Sequence, residues 1–222
     1  MSLRIPYYAQ TAEFSCGPAC VLMALKRFDP GLRLSRSLEF EVWRQCNIIG
    51  VPGADPYGLC VPLNDAGHKV CLVTQWKTAT DPTRWKKRLQ HHGFSAEEAE
   101  LTVFGMAENR KRALARGVPV QRTRPTVELV SRRIHEGWLP IALVHMGVVH
   151  RLDIPHWVVV AEAGPDGVTF NDPYPPKGRQ GNRVSRAQFQ TMLDDIGSKS
   201  GMSPSVVFVR AASVQGREED GF

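Results

Sequence analysis

The sequence predicts an α+β fold, because helical patterns fill its first two thirds and strand patterns are concentrated in its last third. Between residues 16 and 136, apolar residues recur at helical spacing, and glycines follow several of these stretches. After residue 138, short β-branched runs are separated by Gly, Pro and Asp, which is typical of an antiparallel sheet. A chain of 222 residues is long enough to bury a full core, so we expect one domain spanning residues 1–222.

Composition places the chain among ordinary soluble enzymes, with 42% hydrophobic and 23% charged residues. The N-terminus has no apolar signal region, and no run of about 18 apolar residues occurs. Five cysteines without CxxC spacing argue against a disulfide framework and suit a reducing compartment. Cys16 and Cys20 are four residues apart, but no second ligand pair accompanies them. We therefore predict a cytoplasmic protein with no metal site, no cofactor and no membrane partner.

The formal net charge of +6 permits an anionic partner without requiring one. Basic residues are concentrated at 84–88 and 110–124, in stretches with helical patterns, where a charge run usually forms a solvated face. No nucleic-acid motif accompanies them, and aromatic residues are not interleaved with them. Nucleic acid is therefore not the expected partner. The sequence gives no indication of the oligomeric state.

A cysteine stands where a loop is predicted to become a buried helix, within the stretch Gln10–Arg27. Gly17 and Pro18 follow Cys16, and proline is tolerated in a helix only in the first turn, so the helix begins at or next to Cys16. The following residues are apolar almost all round, which is typical of an interior helix. Cys16 then lies at the positive end of the helix, where a nucleophilic thiolate is stabilised. The alternative is that Cys16 is a small core residue.

Gln10 favours the nucleophile interpretation. It lies six residues before Cys16, on a segment short enough to fold back beside the start of the helix. A glutamine NH2 next to the backbone N–H of Cys16 would form a two-donor oxyanion hole for an acyl-transfer intermediate.

The elements after this helix alternate between helices and a first strand. Helices are predicted at Leu34–Asn47, with Ser35 or Ser37 as N-cap, and at Tyr57–Ala66, followed by a strand at Val70–Thr74. The loop from Gly50 to Gly58 forms either one wall of a substrate cleft or a plain connection.

Residues 80–124, which we call the charge-rich segment, are predicted to form a helical elaboration of the domain. Helices are predicted at Trp85–His92 and Ala96–Arg116, with Ser95 as N-cap of the second. His91 and His92 are adjacent, so they face different sides of a helix and are expected on the surface. We expect the cationic helices of this segment to help select an acidic peptide or protein. A further amphipathic helix follows at Thr126–Glu136.

Four short runs in the last third are predicted strands, and one helix precedes the last of them. The strands are Leu139–His145, His156–Ala161, Val168–Asn171 and Val206–Val209, and the helix is Ser185–Asp194. We expect the cysteine helix to pack against this sheet, which would carry the other catalytic groups.

His156 is the candidate base among the seven histidines. It opens the strand WVVVAEA, where a backbone-anchored imidazole is aimed at one fixed point. Asp172 comes sixteen residues later, after a turn at 164–167, so two antiparallel strands would place it beside His156. A cysteine nucleophile, a histidine base and an orienting carboxylate together form a catalytic triad.

Competing assignments of the triad exist. Asn171 would orient His156 through its amide, but alternation along the strand points Asn171 and Asp172 to opposite faces, so only one serves, and we choose Asp172. His145 and His150 lie nearby, and His150 with Asp153 would form a local polar pair. Neither histidine precedes a strand followed by Asp-Pro.

The motif Gln-x5-Cys-Gly-Pro-Ala from Gln10, with His-Trp-Val-Val-Val from His156 and Asn-Asp-Pro from Asn171, resembles the bacteriocin-processing (double-glycine leader) peptidases, family thirty-nine of the papain-like cysteine peptidases. The resemblance spans most of the chain and covers the charge-rich segment least. It implies a papain-like fold, with Cys16 as nucleophile and Gln10 as oxyanion donor.

The predicted function is therefore a cysteine peptidase-like hydrolase that cleaves a peptide or amide bond through Cys16, His156, Asp172 and a thioacyl-enzyme. The alternatives are an acyltransferase or transpeptidase using the same triad, and a non-catalytic peptide-binding module of the same fold. Tyr174, Pro175 and Pro176 are expected to form a rim beside the triad or a structural turn.

Overall fold

The computed structural model describes residues 3–175 and 178–212. Helices and strands are numbered along the chain. The helices are α1 (Cys16–Phe28), α2 (Arg36–Cys46), α3 (Pro56–Asp65), α4 (Pro82–His91), α5 (Ala96–Ala115), α6 (Val127–His135), α7 (Gly147–His150) and α8 (Arg186–Asp195), with a π-helical turn at Ile196–Ser200. The strands are β1 (Lys69–Thr74), β2 (Val120–Arg122), β3 (Leu139–His145), β4 (Pro155–Gly164), β5 (Gly167–Asn171), β6 (Asn182–Val184) and β7 (Ser205–Arg210).

Within the described residues, the strands form one seven-stranded sheet in the order β2-β1-β7-β3-β4-β5-β6. All neighbouring pairs are antiparallel except β1 and β2, which are parallel. The predicted α+β class is confirmed. The sheet contains β1 and β2 in addition to the C-terminal strands. The three-residue strands β2 and β6 were not predicted, because such short strands leave no recognisable alternation in the sequence.

The sheet is buried on both faces. Leu143 and Trp157 belong to the core beneath α1–α5, whereas their neighbours Val144 and Val158 belong to the core beneath α6 and α8. Successive residues of a strand point to opposite faces, so a strand that is buried on both faces has apolar residues at successive positions. The fold therefore has three layers, with α1–α5 on one face of the sheet and α6 and α8 on the other.

Side-chain caps fix most helix starts, and Ser35 and Ser95 are the two that the sequence predicted. Ser35 and Thr126 cap α2 and α6, and Ser95 forms a reciprocal capping box with Glu98 at α5. Helix α4 begins at Pro82, three residues earlier than predicted, because Asp81 caps it.

A buried polar contact anchors the charge-rich segment to the rest of the domain. Asn109 of α5 donates through Nδ2 to the carboxylate of Asp55, the N-cap of α3, at 2.6 Å, and to the carbonyl of Asn47 at 2.8 Å. Burial raises the pKa of Asp55 to about 6, against the hydrogen bonds it accepts from Asn109, Gly58 and Tyr57. Within the described part of the chain, no helix is both long and apolar enough to cross a membrane.

Candidate active site

Cys16 lies at the N-terminus of α1, as the proline position predicts. The start of this helix is pressed against its neighbours at Gly17, where an added Cβ would lie 2.9 Å from Leu59, 3.1 Å from Ala54 and 3.2 Å from Trp157. A glycine therefore allows the helix end to approach α3 and β4 closely enough to bring the Cys16 thiol to the edge of the sheet.

The hairpin of β4 and β5 brings His156 and Asp172 together. The strands pair from Gly164–Gly167 to Val159–Asn171, with a register shift between Val160 and Glu162. Asp172 follows the end of β5, and its Oδ1 lies 2.8 Å from Nε2 of His156. Because Asp172 occupies Nε2, Nδ1 is the ring nitrogen of His156 that remains for the Cys16 thiol.

The environment of Cys16 favours a thiolate. Burial alone raises the pKa of this thiol, but the charge and hydrogen bond of His156 and the N–H groups of Trp157 and Gly17 outweigh it, and the pKa lies below its ordinary value. The Trp157 N–H is accessible because β5 pairs with β4 only from Val159 onward. The sequence did not reveal this donor.

The environment of His156 favours the imidazolium. Burial lowers the pKa of His156, but the Cys16 charge and the Asp172 hydrogen bond outweigh it and raise the pKa to about 9. Together, these shifts favour a thiolate–imidazolium pair over a neutral thiol and imidazole.

The carboxylate of Asp172 is fully buried and bonded through both oxygens. Oδ1 also accepts the N–H of Tyr174 at 2.9 Å, and Oδ2 lies 2.6 Å from Nε2 of His150. Burial raises the pKa of Asp172, but these hydrogen bonds, led by that of His156, bring it below its usual range. Asp172 is therefore held as an anion. The contact with His150 was not predicted.

The competing assignments are resolved by their contacts. The side chain of Asn171 accepts the N–H of Gly181 at 3.1 Å and donates to the carbonyl of Ile5 at 3.5 Å, on the side away from His156. The alternative pairing of His150 with Asp153 is wrong, because Asp153 lies 2.9 Å from Nε2 of His145 and His150 contacts Asp172 instead.

Gln10 lies near Asp172, and its NH2 is bonded to two backbone carbonyls. Its backbone N–H donates to the carbonyl of Pro173 at 2.9 Å, next to Asp172. Its Nε2 donates to the carbonyls of Ala12 at 2.8 Å and Glu13 at 3.0 Å, which uses both hydrogens. Its Oε1 is buried and has no partner among the described residues.

Glu39 of α2 is a buried group that the sequence interpretation missed. Its carboxylate accepts the hydroxyl of Ser15 at 2.6 Å, the hydroxyl of Tyr8 at 3.1 Å and the N–H of Thr11 at 2.9 Å. These donors belong to the segment that carries Gln10 and leads into Cys16. The sequence signal for its burial is helical spacing, because Glu39, Val42 and Cys46 lie on the same buried face of α2.

Cys16 and His156 open into a cleft of 480 Å³. Most of its walls are apolar, including Phe14, Ile48, Val51, Trp85, Leu89 and Ile154. Residues 51–54 contribute to the wall, so the loop after Gly50 is more than a connection. The ring of Tyr174 lies edge-on to His156 at 5.9 Å between centroids, while Pro176 lies outside the described residues.

The charge-rich segment reaches this cleft through α4 and the turn after it, which supply Trp85, Arg88, Leu89, His92 and Phe94. The Arg88 guanidinium is partly neutralised by Asp153, at 3.5 Å.

The second basic stretch, residues 110–124, begins on α5 and contributes no residue to the cleft lining in the described part of the chain. Arg112 donates to the carbonyl of Gln45 at 2.8 Å, and Lys111 pairs with Glu108 at 2.6 Å.

Comparison with known proteins places these features in a family. The model of a family described as "Peptidase_C39 like family" matches residues 5–196. No curated protein matches the sequence. A solved double glycine motif protease from an AMS/PCAT transporter, in complex with its leader peptide, is 11% identical, with a TM-score of 0.48 over 95% of this chain and 94% of that one. The peptidase domain of Streptococcus ComA, a bi-functional ABC transporter, is 13% identical, with a TM-score of 0.45 over 92% and 97%.

Proposed function

Because the chain belongs to the Peptidase_C39 like family, we propose that it is a cysteine peptidase that cleaves a peptide or amide bond through Cys16, His156 and Asp172. The observation that carries the proposal is the position of His156, which contacts Asp172 through Nε2 at 2.8 Å and lines a cleft together with Cys16, whose thiolate its charge favours. A small core cysteine would need neither partner.

The first half of the reaction forms a thioacyl-enzyme. The Cys16 thiolate attacks the carbonyl carbon, and the electron pair of the C=O bond moves to oxygen. When the tetrahedral intermediate collapses, the C–N bond breaks and the His156 imidazolium gives its proton to the leaving amine. In the second half, neutral His156 accepts a proton from water as the oxygen attacks the thioester. The acid is released, and the thiolate and imidazolium are restored.

The oxyanion would be held by the N–H of Cys16, one of the first N–H groups of α1 that lack an intrahelical acceptor, and by Gln10. Gln10 contributes only after its Nε2 releases the carbonyl of Ala12 or Glu13. Substrate binding that moves the turn at residues 12–13 would free this N–H.

The shape and lining of the cleft favour a peptide with a bulky apolar side chain near the scissile bond, because burial against Phe14, Trp85 and Leu89 removes that side chain from water. Selection of acidic substrates would rest on Arg88, the one cation from the two basic stretches among the described cleft residues.

The test is a mass-spectrometric screen of peptide libraries with the wild-type protein and the Cys16→Ala variant. A peptidase gives paired fragments whose masses sum to the substrate plus water, and only with the wild type. Fragments joined to an added amine identify an acyltransferase instead. Tight peptide binding without any mass change for either protein identifies a binding module and overturns the proposal.

A further inference from the structure

A second histidine contacts the carboxylate of the triad. His150 ends the short helix α7, and its Nε2 lies 2.6 Å from Oδ2 of Asp172, opposite the oxygen that faces His156. The contact is almost dry, with the His150 side chain 8% exposed and the Asp172 side chain fully buried. Asp172 is thus shared between two imidazoles.

We propose that His150 is a positioning residue. Its hydrogen bond with Asp172 disperses part of the negative charge of the carboxylate and thereby sets the pH range over which the Cys16–His156 ion pair exists. This inference rests on the proposed function, since it concerns the same triad.

The argument follows from the hydrogen bonds of one buried carboxylate. Oδ1 receives His156 and the Tyr174 N–H, and His150 is the side chain bonded to Oδ2. A hydrogen bond to one oxygen stabilises the anion and makes the whole carboxylate a weaker acceptor for its other donors. Loss of the His150 bond would therefore strengthen the hold of Asp172 on the proton of His156.

The loop that carries His150 is tied in place at several points. The Met146 N–H donates to the carbonyl of Ile154 at 3.1 Å and closes the loop, and Arg88 donates to the carbonyl of Asp153 at 2.8 Å. Arg151, directly after His150, has a φ of 56°, a left-handed conformation that is uncommon outside glycine. His150 is therefore presented to Asp172 by a closed loop.

Other titratable groups around the pair are accounted for. Among the described residues, those around Asp172, His156 and His150 are Cys16 and Cys20 from α1, Tyr7 from the N-terminal segment, and Tyr174. The Tyr7 hydroxyl donates to the Asp172 carbonyl at 3.0 Å, and the Tyr174 ring lies against both histidines. His145 contacts Asp153 and accepts the N–H of Gly147 at 3.2 Å, so it holds the same loop without a hydrogen bond to Asp172, which makes it the control for a disturbance of the loop alone.

The test compares His150→Phe, which fills the site without a donor, with His150→Gln, which retains an N–H, and with the control His145→Gln. The rate of Cys16 alkylation by iodoacetamide is measured against pH. For His150→Phe, the apparent pKa of the step that forms the ion pair should fall, and the apparent pKa of the step that removes the His156 proton should rise. Each change should be about 0.5–1 pH unit. His150→Gln should stay close to the wild type, and His145→Gln should not move either step.

Alkylation requires no substrate, so the inference and the proposed function fail separately. A protein that cleaves no peptide still reports on its ion pair. The inference is overturned if His150→Phe and the wild type have the same pH profile, if His150→Gln moves as far as His150→Phe, or if His145→Gln produces the same shift. Should His150→Phe fail to fold, His150→Asn, too short to reach Oδ2, is expected to show the widened profile, and a wild-type profile for it overturns the inference.

Discussion

Asp172 holds the Nε2 atom of His156 at 2.8 Å, and this contact determines which edge of the imidazole meets Cys16. The two residues are sixteen apart in sequence and are joined by a hairpin with a register shift. With Nε2 occupied, the ring acts on Cys16 through Nδ1. The reactivity of Cys16 therefore depends on a residue that it does not touch.

We predict that Cys16 is the fast-reacting thiol of the protein. Its pKa is lowered against the effect of burial, whereas burial raises the pKa of Cys20, Cys46, Cys60 and Cys71. At neutral pH and limiting iodoacetamide, peptide mapping should find the label on Cys16 first.

The control for this prediction is His156→Ala, in which labelling of Cys16 should slow by about tenfold or more because the partner of the thiolate is gone. Equal labelling of all five thiols in the folded wild type would contradict the nucleophile assignment.

The pH profile of activity should be bell-shaped. The pair forms as Cys16 loses its proton, at a pKa below the ordinary thiol value, and it is lost as His156 deprotonates at a pKa of about 9. The alkaline limb of kcat/KM should therefore lie near pH 9.

In Asp172→Asn, the amide still accepts from His156, but the carboxylate charge that favours the imidazolium is absent. The alkaline limb should move to lower pH, measured as kcat/KM against pH with the Cys16→Ala protein as blank. An unmoved limb would show that Asp172 does not influence the ionisation of His156.

The sequence was sufficient for the parts of the site that depend on local order. A proline two residues after Cys16 indicates where the helix starts. Two strands joined by one turn are enough to bring Asp172 back beside His156. Each of these inferences uses residues close in sequence or paired by one hairpin, where periodicity and turn chemistry are informative.

The contacts made by Glu39 and His150 could not be predicted in the same way. Glu39 meets Ser15 across 24 residues and His150 meets Asp172 across 22, and the tertiary packing of separate elements decides both. The orientation of the Gln10 amide is likewise decided by two nearby carbonyls that compete for its hydrogens. Spacing identifies which residues are near one another, whereas packing decides which hydrogen bonds form.

Gln10→Ala should separate catalysis from thiol reactivity. If Gln10 is an oxyanion donor, kcat should fall by about 10²–10³-fold, while the alkylation rate of Cys16 stays near that of the wild type because alkylation develops no oxyanion.

A supporting role of Gln10 would give a different result from a role as oxyanion donor. Since Gln10 also bonds the carbonyls of Ala12 and Glu13, a purely supporting role would lower alkylation and kcat together. Unchanged kcat in a folded Gln10→Ala protein would remove Gln10 from the mechanism.

Glu39→Ala should lower the free energy of unfolding by about 2–4 kcal/mol, because it removes the acceptor shared by the hydroxyls of Ser15 and Tyr8 and the N–H of Thr11, and leaves Ser15 only the carbonyl of Ala12. Chemical denaturation measures this difference. Glu41→Ala is the matched control, since Glu41 is exposed on the same helix and its loss should change stability by less than about 0.5 kcal/mol. Similar stabilities for the two variants would show that the Glu39 contacts contribute nothing.

The charge-rich segment should select substrates through its aromatic contribution to the cleft. Phe94 lines the cleft and is partly buried, whereas Phe104 of the same segment is 54% exposed and lies outside the cleft lining. For a substrate with an apolar side chain near the scissile bond, Phe94→Ser should raise KM by about 10-fold, because part of the apolar surface that buries this side chain is lost. kcat should change little if the contact is made equally in the ground and transition states. Phe104→Ser should leave both constants unchanged. Equal KM values for the wild type and Phe94→Ser, measured on the same peptide, would show that the segment covers the domain without choosing its substrate.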